Sequence, residues 1–87
     1  MKITNIYDNR GKTADRYTVV LDQIIDTQNG TPVHACLGMF EKPTHPQGFC
    51  QHGECVQGSH LGMLIEVDHL PQPCQDILKE YYYVEKN

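Results

Sequence analysis

Four cysteines and five histidines in a chain of 87 residues are the side chains whose types and spacing admit chemistry. Three of them fall in one short run. Cys50-x-His52-x-x-Cys55 places two thiols and an imidazole within six residues. Zinc takes four Cys or His ligands in a closed tetrahedral site. The run therefore needs a fourth ligand, which Cys36, His34, His45 or His60 can supply. A metal held this way staples a segment with little core of its own. The spacing is not that of paired C-x-x-C knuckles, so a zinc module through Cys36, Cys50, His52 and Cys55 stands as an alternative reading. The same residues admit a Cys–His nucleophile, for example His45 with Cys50. Such a thiolate needs a cation or a helix N-terminus beside it, and no Lys or Arg occurs between Pro43 and Leu78. A cysteine-dependent enzyme is thus a second alternative. Neither G-x-x-x-x-G-K-[ST] nor G-x-G-x-x-G occurs.

Recognition is the leading reading. Residues 41–60 carry two Pro, three Gly and three His, and hold neither a period of 2 nor one of 3.6. An ordered stretch of that length without its own periodicity is usually functional. His45, Gln47, Gln51, His52 and His60 offer donors and acceptors, and Phe49 is an apolar anchor. A rigid loop with a few convergent polar groups and one aromatic suits a partner protein or a small polar ligand. Asp15 and Arg16 form a second patch, with an ion pair fixing the local turn as their other role. This reading needs no catalytic residue and no cofactor.

Charge narrows the partners. Seven Lys and Arg stand against eleven Asp and Glu, a net charge of −4. Nucleic-acid binding needs clustered cations, and the single basic cluster is Arg10-Gly11-Lys12 with Arg16. No segment reaches the roughly 18 apolar residues of a membrane span. The opening Met1-Lys2-Ile3-Thr4-Asn5-Ile6-Tyr7-Asp8 lacks an apolar h-region. The expectation is a cytoplasmic protein whose cysteines are free thiols or metal ligands rather than disulfides.

The elements that must position these residues can be read in outline. Residues 2–7 form a short strand, and residues 8–16 a polar turn with Asn9 and Gly11 as breakers. Tyr17-Thr18-Val19-Val20-Leu21-Asp22 is β-branched, aromatic and alternating, the strand pattern at its clearest. Gln28-Asn29-Gly30 closes a hairpin. A three-residue loop would set Leu21 opposite Leu37, Val19 opposite Met39 and Ile25 opposite Val33, gathering one apolar face. The other face (Thr18, Val20, Asp22, Ile24, His34, Cys36, Phe40) is half polar, so a helix or a second subunit is expected to cover it. Leu61, Met63, Ile65 and Val67 alternate as a further strand, and Leu70, Cys74, Ile77, Leu78 and Tyr81 mark the buried stripe of a helix over 71–82. The sum is a small α+β domain over 1–87. A mainly antiparallel sheet of three to four strands packs on one C-terminal helix, with a long irregular loop at 41–60 and a possible homodimer.

The runs Asp15-Arg16-Tyr17-Thr18-Val19-Val20, His45-Pro46-Gln47-Gly48-Phe49 and His60-Leu61-Gly62 resemble small bacteriophage- and prophage-encoded proteins of uncharacterised activity. The resemblance extends from about Tyr7 to Leu78 and carries over no functional residue. It implies a bacterial host cell, an accessory role, a host protein among the partners, and inhibition of host defence as a function.

Overall fold

The computed structural model describes residues 2–13, 15–40 and 50–81, with the backbone alone at 50, 51 and 81. Five strands are formed: β1 (Ile3–Asp8), β2 (Tyr17–Gln28), β3 (Thr31–Met39), β4 (Cys50–Cys55) and β5 (Met63–Ile65). They make one antiparallel sheet in the order β4-β3-β2-β1-β5. One helix, α1 (Gln72–Tyr81), follows, and the fold is a small α+β one as the pattern predicts. None of the described helices is long and apolar enough to cross a membrane.

The β2–β3 hairpin differs from the expectation in its loop. Asn29 and Gly30 both have positive φ, 52° and 81°, and Gln28 pairs directly with Thr31. This is a two-residue turn of the mirror-image type, whose twist matches that of the flanking strands. Two register shifts, between Val20 and Ile24 and between Ile24 and Asp26, then re-phase the strand. Val19 ends opposite Leu37 and Tyr17 opposite Met39, so the expected apolar face is recovered by bulges instead of by loop length. The cost falls beyond the shifts. Asp26, not Ile25, lies opposite Val33, and Ile24 and Ile25 stay 50% and 44% exposed.

The core fills one face of the sheet. Ile6, Tyr17, Val19, Leu21, Leu37 and Met39 pack with Leu70, Cys74 and Leu78 of the helical segment. The spacing 70, 74, 78 is that of one helix face, which is why the stripe is legible in the sequence. Pro71 lies just before α1, where a missing N–H loses nothing, and its carbonyl accepts from Cys74 and Gln75 at 2.9 and 3.1 Å.

The predicted irregular loop is in part a strand. Cys50–Cys55 pairs with β3 from Met39↔Cys50 to His34↔Cys55. Cys-Gln-His-Gly-Glu-Cys has no β-branched or aromatic residue and no alternation, so local propensity gives no sign of it. Its pairing comes from the free edge of β3. From there the chain must cross the sheet, because β4 and β5 lie on opposite edges. Residues 56–62 make that crossing over the face away from the helix: Gln57 bonds Asn5, Tyr7 and His34 there. Tyr7, Val20 and Cys36 are buried on this side. The half-polar second face is therefore covered by the chain's own crossover, not by the helix, which packs on the other side.

Candidate functional site

The turn between β1 and β2 is built by its own side chains. Asn9 Oδ1 accepts from the Gly11 and Lys12 N–H groups at 2.9 and 3.1 Å, and Asn9 Nδ2 donates to Thr13 Oγ1 and to the Asp15 carbonyl at 2.8 and 3.0 Å. Asn is favoured in turns because its short side chain bonds nearby backbone in this way. The result fixes Asp15 and Arg16 in different directions. Arg16 turns back to Asp8, with Nε to Oδ1 at 2.9 Å and Nη2 to Oδ2 at 3.2 Å, and its guanidinium lies 5.3 Å from the Tyr17 ring centre. This forked pair holds the Asp8 carboxyl below its ordinary range, against an opposing effect of burial. The ion pair Arg16 makes is thus with Asp8 across the turn, and not with Asp15 beside it.

Asp15 faces the sheet instead. Its carboxylate lies over Gly38, so close that a Cβ there would meet Oδ2 at 2.7 Å. A glycine inside a strand often marks such an approach. Among the described residues no hydrogen-bond donor reaches this carboxylate.

The crossover is anchored by Gln57. Its Oε1 accepts from Asn5 Nδ2 and from the Tyr7 hydroxyl, the latter at 3.1 Å. Its Nε2 lies 3.4 Å from His34 Nε2, while His34 Nδ1 is 2.9 Å from the Leu21 carbonyl. A carbonyl only accepts, so Nδ1 carries the proton, and neutral His34 then accepts from Gln57 at Nε2. That chain of bonds sets the path of residues 58–62. Gly62, at φ 110°, lets the backbone close over Asp8 and turn into β5. His60 sits in the short 3-10 turn Ser59–Leu61 of this path.

These pieces line a half-open cavity of about 370 Å³ on the second face. Asn9, Thr13 and Asp15 come from the turn, Thr18 from β2, Cys36 and Gly38 from β3, and His52 to Cys55 from β4. His60 and Leu61 close it from the crossover. The volume is near the lower end for small-molecule sites, roughly 300–1,000 Å³. Asp15 and Glu54 bring negative charge, and among the described residues no Lys or Arg lines it.

Five of the residues singled out from sequence, Asp15, Cys36, His52, Cys55 and His60, are thus brought together, although Asp15 lies 37 positions before His52. Arg16 is not among them. His45, Gln47 and Phe49, and the side chains of Cys50 and Gln51, lie outside the described residues. Among the described residues no group of three or more His, Cys, Asp or Glu side chains is placed to hold a metal ion. Burial, with Cys55 beside it, pushes the Cys36 thiol up to about 12, opposite to the direction a nucleophilic thiolate needs. Thr13, Thr18 and Gly38 were not legible as site residues; a mid-strand glycine was the one available sign. No family model, curated protein or solved structure matches the chain.

Proposed function

We propose that the protein binds, without chemistry, a small polar ligand in the second-face cavity, and that the ligand donates hydrogen bonds and is neutral or cationic. One observation carries this reading: among the described residues no donor reaches the Asp15 carboxylate, which borders the cavity, and their lining holds a second acid and no Lys or Arg. A carboxylate in such a place gains from a donor brought by a ligand, and charge-assisted bonds of this kind are roughly twice as strong as neutral ones. His52 and His60 add ring nitrogens able to donate or accept. The resemblance to phage-encoded proteins supplies a setting, an accessory binder acting in a bacterial host. In that setting the ligand is a host metabolite and sequestering it is the means of inhibition.

The test is a ¹H–¹⁵N NMR titration of the full chain with putrescine and, separately, with succinate as probes. The expected result is saturable movement of the Gly38, Gly53 and Leu61 amides with the diamine and none with the dicarboxylate. Asp15→Asn should weaken the diamine by roughly tenfold, the worth of one charge-assisted bond. Preference for succinate, or shifts confined to other parts of the sheet, overturns the reading.

A further inference from the structure

Cys36 and Cys55 stand on the same face of neighbouring strands. In the β3–β4 ladder Cys36 is opposite Gly53 and His34 is opposite Cys55, which makes the two cysteines diagonal neighbours. The residue between them on β4's side of the cell is a glycine, and Cys36 leans across it: its Sγ would lie 3.9 Å from a Cβ on Gly53. With no side chain at 53, nothing stands between the Cys36 sulfur and the next position on that face, which is Cys55. The two thiols are within hydrogen-bonding reach of each other. Both border the cavity, Cys36 buried and Cys55 partly exposed. Diagonal partners in a sheet stand about 7–8 Å apart, just outside the roughly 4.4–6.8 Å between Cα atoms that a disulfide spans. The sulfurs are already neighbours, and β4 is an edge strand, so the shift of about 1 Å that closes the bond falls on a strand paired on one side.

We propose that Cys36 and Cys55 are a reversible dithiol–disulfide pair, oxidised by a low-molecular-weight disulfide of the glutathione type. The more accessible Cys55 reacts first. Its thiolate attacks one sulfur of the small disulfide, forming a mixed disulfide and releasing one small thiolate. Cys36, which burial makes a reluctant proton donor, then gives up its proton and attacks Cys55 Sγ in the slower of the two steps. The Cys36–Cys55 bond forms, the mixed disulfide breaks, and the second small thiol leaves with that proton. Two protein thiols are oxidised and one small disulfide is reduced to two thiols. The link joins β3 to β4 and closes a ring around residues 41–49, the segment whose His45, Gln47 and Phe49 read as recognition residues. It does not depend on what the cavity binds.

The experiment incubates the reduced full chain in buffers of graded oxidised-to-reduced glutathione ratio, blocks free thiols with N-ethylmaleimide, and maps the peptides by mass spectrometry. The expected product is a monomer lighter by two hydrogens, carrying two maleimide groups, with Cys36 linked to Cys55. Cys50→Ser should form the same link in the same buffers. Cys36→Ser and Cys55→Ser should lose it and stop at a mixed disulfide on a remaining thiol. The oxidised wild type should melt higher by at least about 5 °C, since the ring constrains the unfolded chain. A dominant link through Cys50 or Cys74, mixed disulfides alone in the wild type, or an oxidised form that melts below the reduced one overturns the proposal. The wild-type peptide map decides this even if a variant fails to fold.

Discussion

Asp15 and Gly38 are locked face to face: the carboxylate of one occupies the space that a side chain on the other would need. A Cβ at 38 would lie 2.7 Å from Oδ2, 3.0 Å from Cγ and 3.3 Å from the Asp15 Cβ. The first two atoms can swing away, and the third belongs to a segment tied down by Asn9. Gly38→Ala should therefore cost about 1–2 kcal/mol from crowding, and should displace the carboxylate from the cavity. Asp15→Ala removes the two nearest atoms, so the double variant should recover most of the loss. Urea unfolding of the four forms of this cycle measures it, and additive losses would show that the contact is not the cause.

Arg16 works by shape as well as charge. Its two bonds to Asp8 are side by side, which a lysine ammonium cannot reproduce. Arg16→Lys should lose about 1 kcal/mol and Arg16→Ala about 1–2 kcal/mol, in the range for a hydrogen-bonded, partly shielded pair. The pH dependence has a definite sign. Asp8 is depressed below the ordinary 3.8 in the folded chain, first through Arg16. Its contribution is full above that value and is lost as pH falls through the lower folded one. Melting between pH 5 and pH 2 should show the wild type losing more stability than Asp8→Asn over that interval, and parallel curves would remove Asp8 from the account.

The particular residues show why the sheet was more legible than the site. Tyr17, Val19, Leu21, Leu37 and Met39 alternate in their own strands, and Leu70, Cys74 and Leu78 repeat at the helical period, so the core face and its helix follow from local pattern. The hairpin register did not, because the bulges after Val20 leave no mark in composition. β4 was hidden for a different reason. Its residues are held by backbone pairing to an edge, and none of them needs burial to stay there. Of the site, Asp15, His52 and His60 could be chosen as polar residues on turns and loops. Their meeting depends on the crossover of 56–62, which the sequence gives no means of routing.

Gln57 should prove to be the anchor of that crossover. Gln57→Ala strands the Asn5 amide, the Tyr7 hydroxyl and His34 Nε2, all partly buried. The expected loss is about 2 kcal/mol, near the cost of leaving such groups unpaired. Tyr7→Phe removes one bond of the set and should lose about 1 kcal/mol. The double variant should then lose less than the sum, because Gln57→Ala has already broken the Tyr7 bond. Chemical denaturation gives the energies. Full additivity would mean that the hydroxyl and the amide do not meet in solution.

Two glycines that share a positive φ should respond very differently to alanine. Gly30 has φ 81° and open space where a Cβ would go, so Gly30→Ala meets only the left-handed penalty of roughly 1–2 kcal/mol. Gly62 has φ 110°, and a Cβ there would fall 2.2 Å from the Asp8 carbonyl oxygen and 2.7 Å from the Asn9 Cα. Both are backbone atoms, and Asp8 is pinned by its pairs with Tyr17 and Met63, so neither side can yield cheaply. Gly62→Ala should cost at least about 3 kcal/mol, or abolish β5 pairing altogether. Amide hydrogen exchange separates the outcomes. In Gly30→Ala protection should fall evenly across the sheet as global stability drops. In Gly62→Ala it should vanish first at Met63–Ile65 and along β1. Equal melting temperatures for the two variants would show that the crossover does not close over Asp8 in this way.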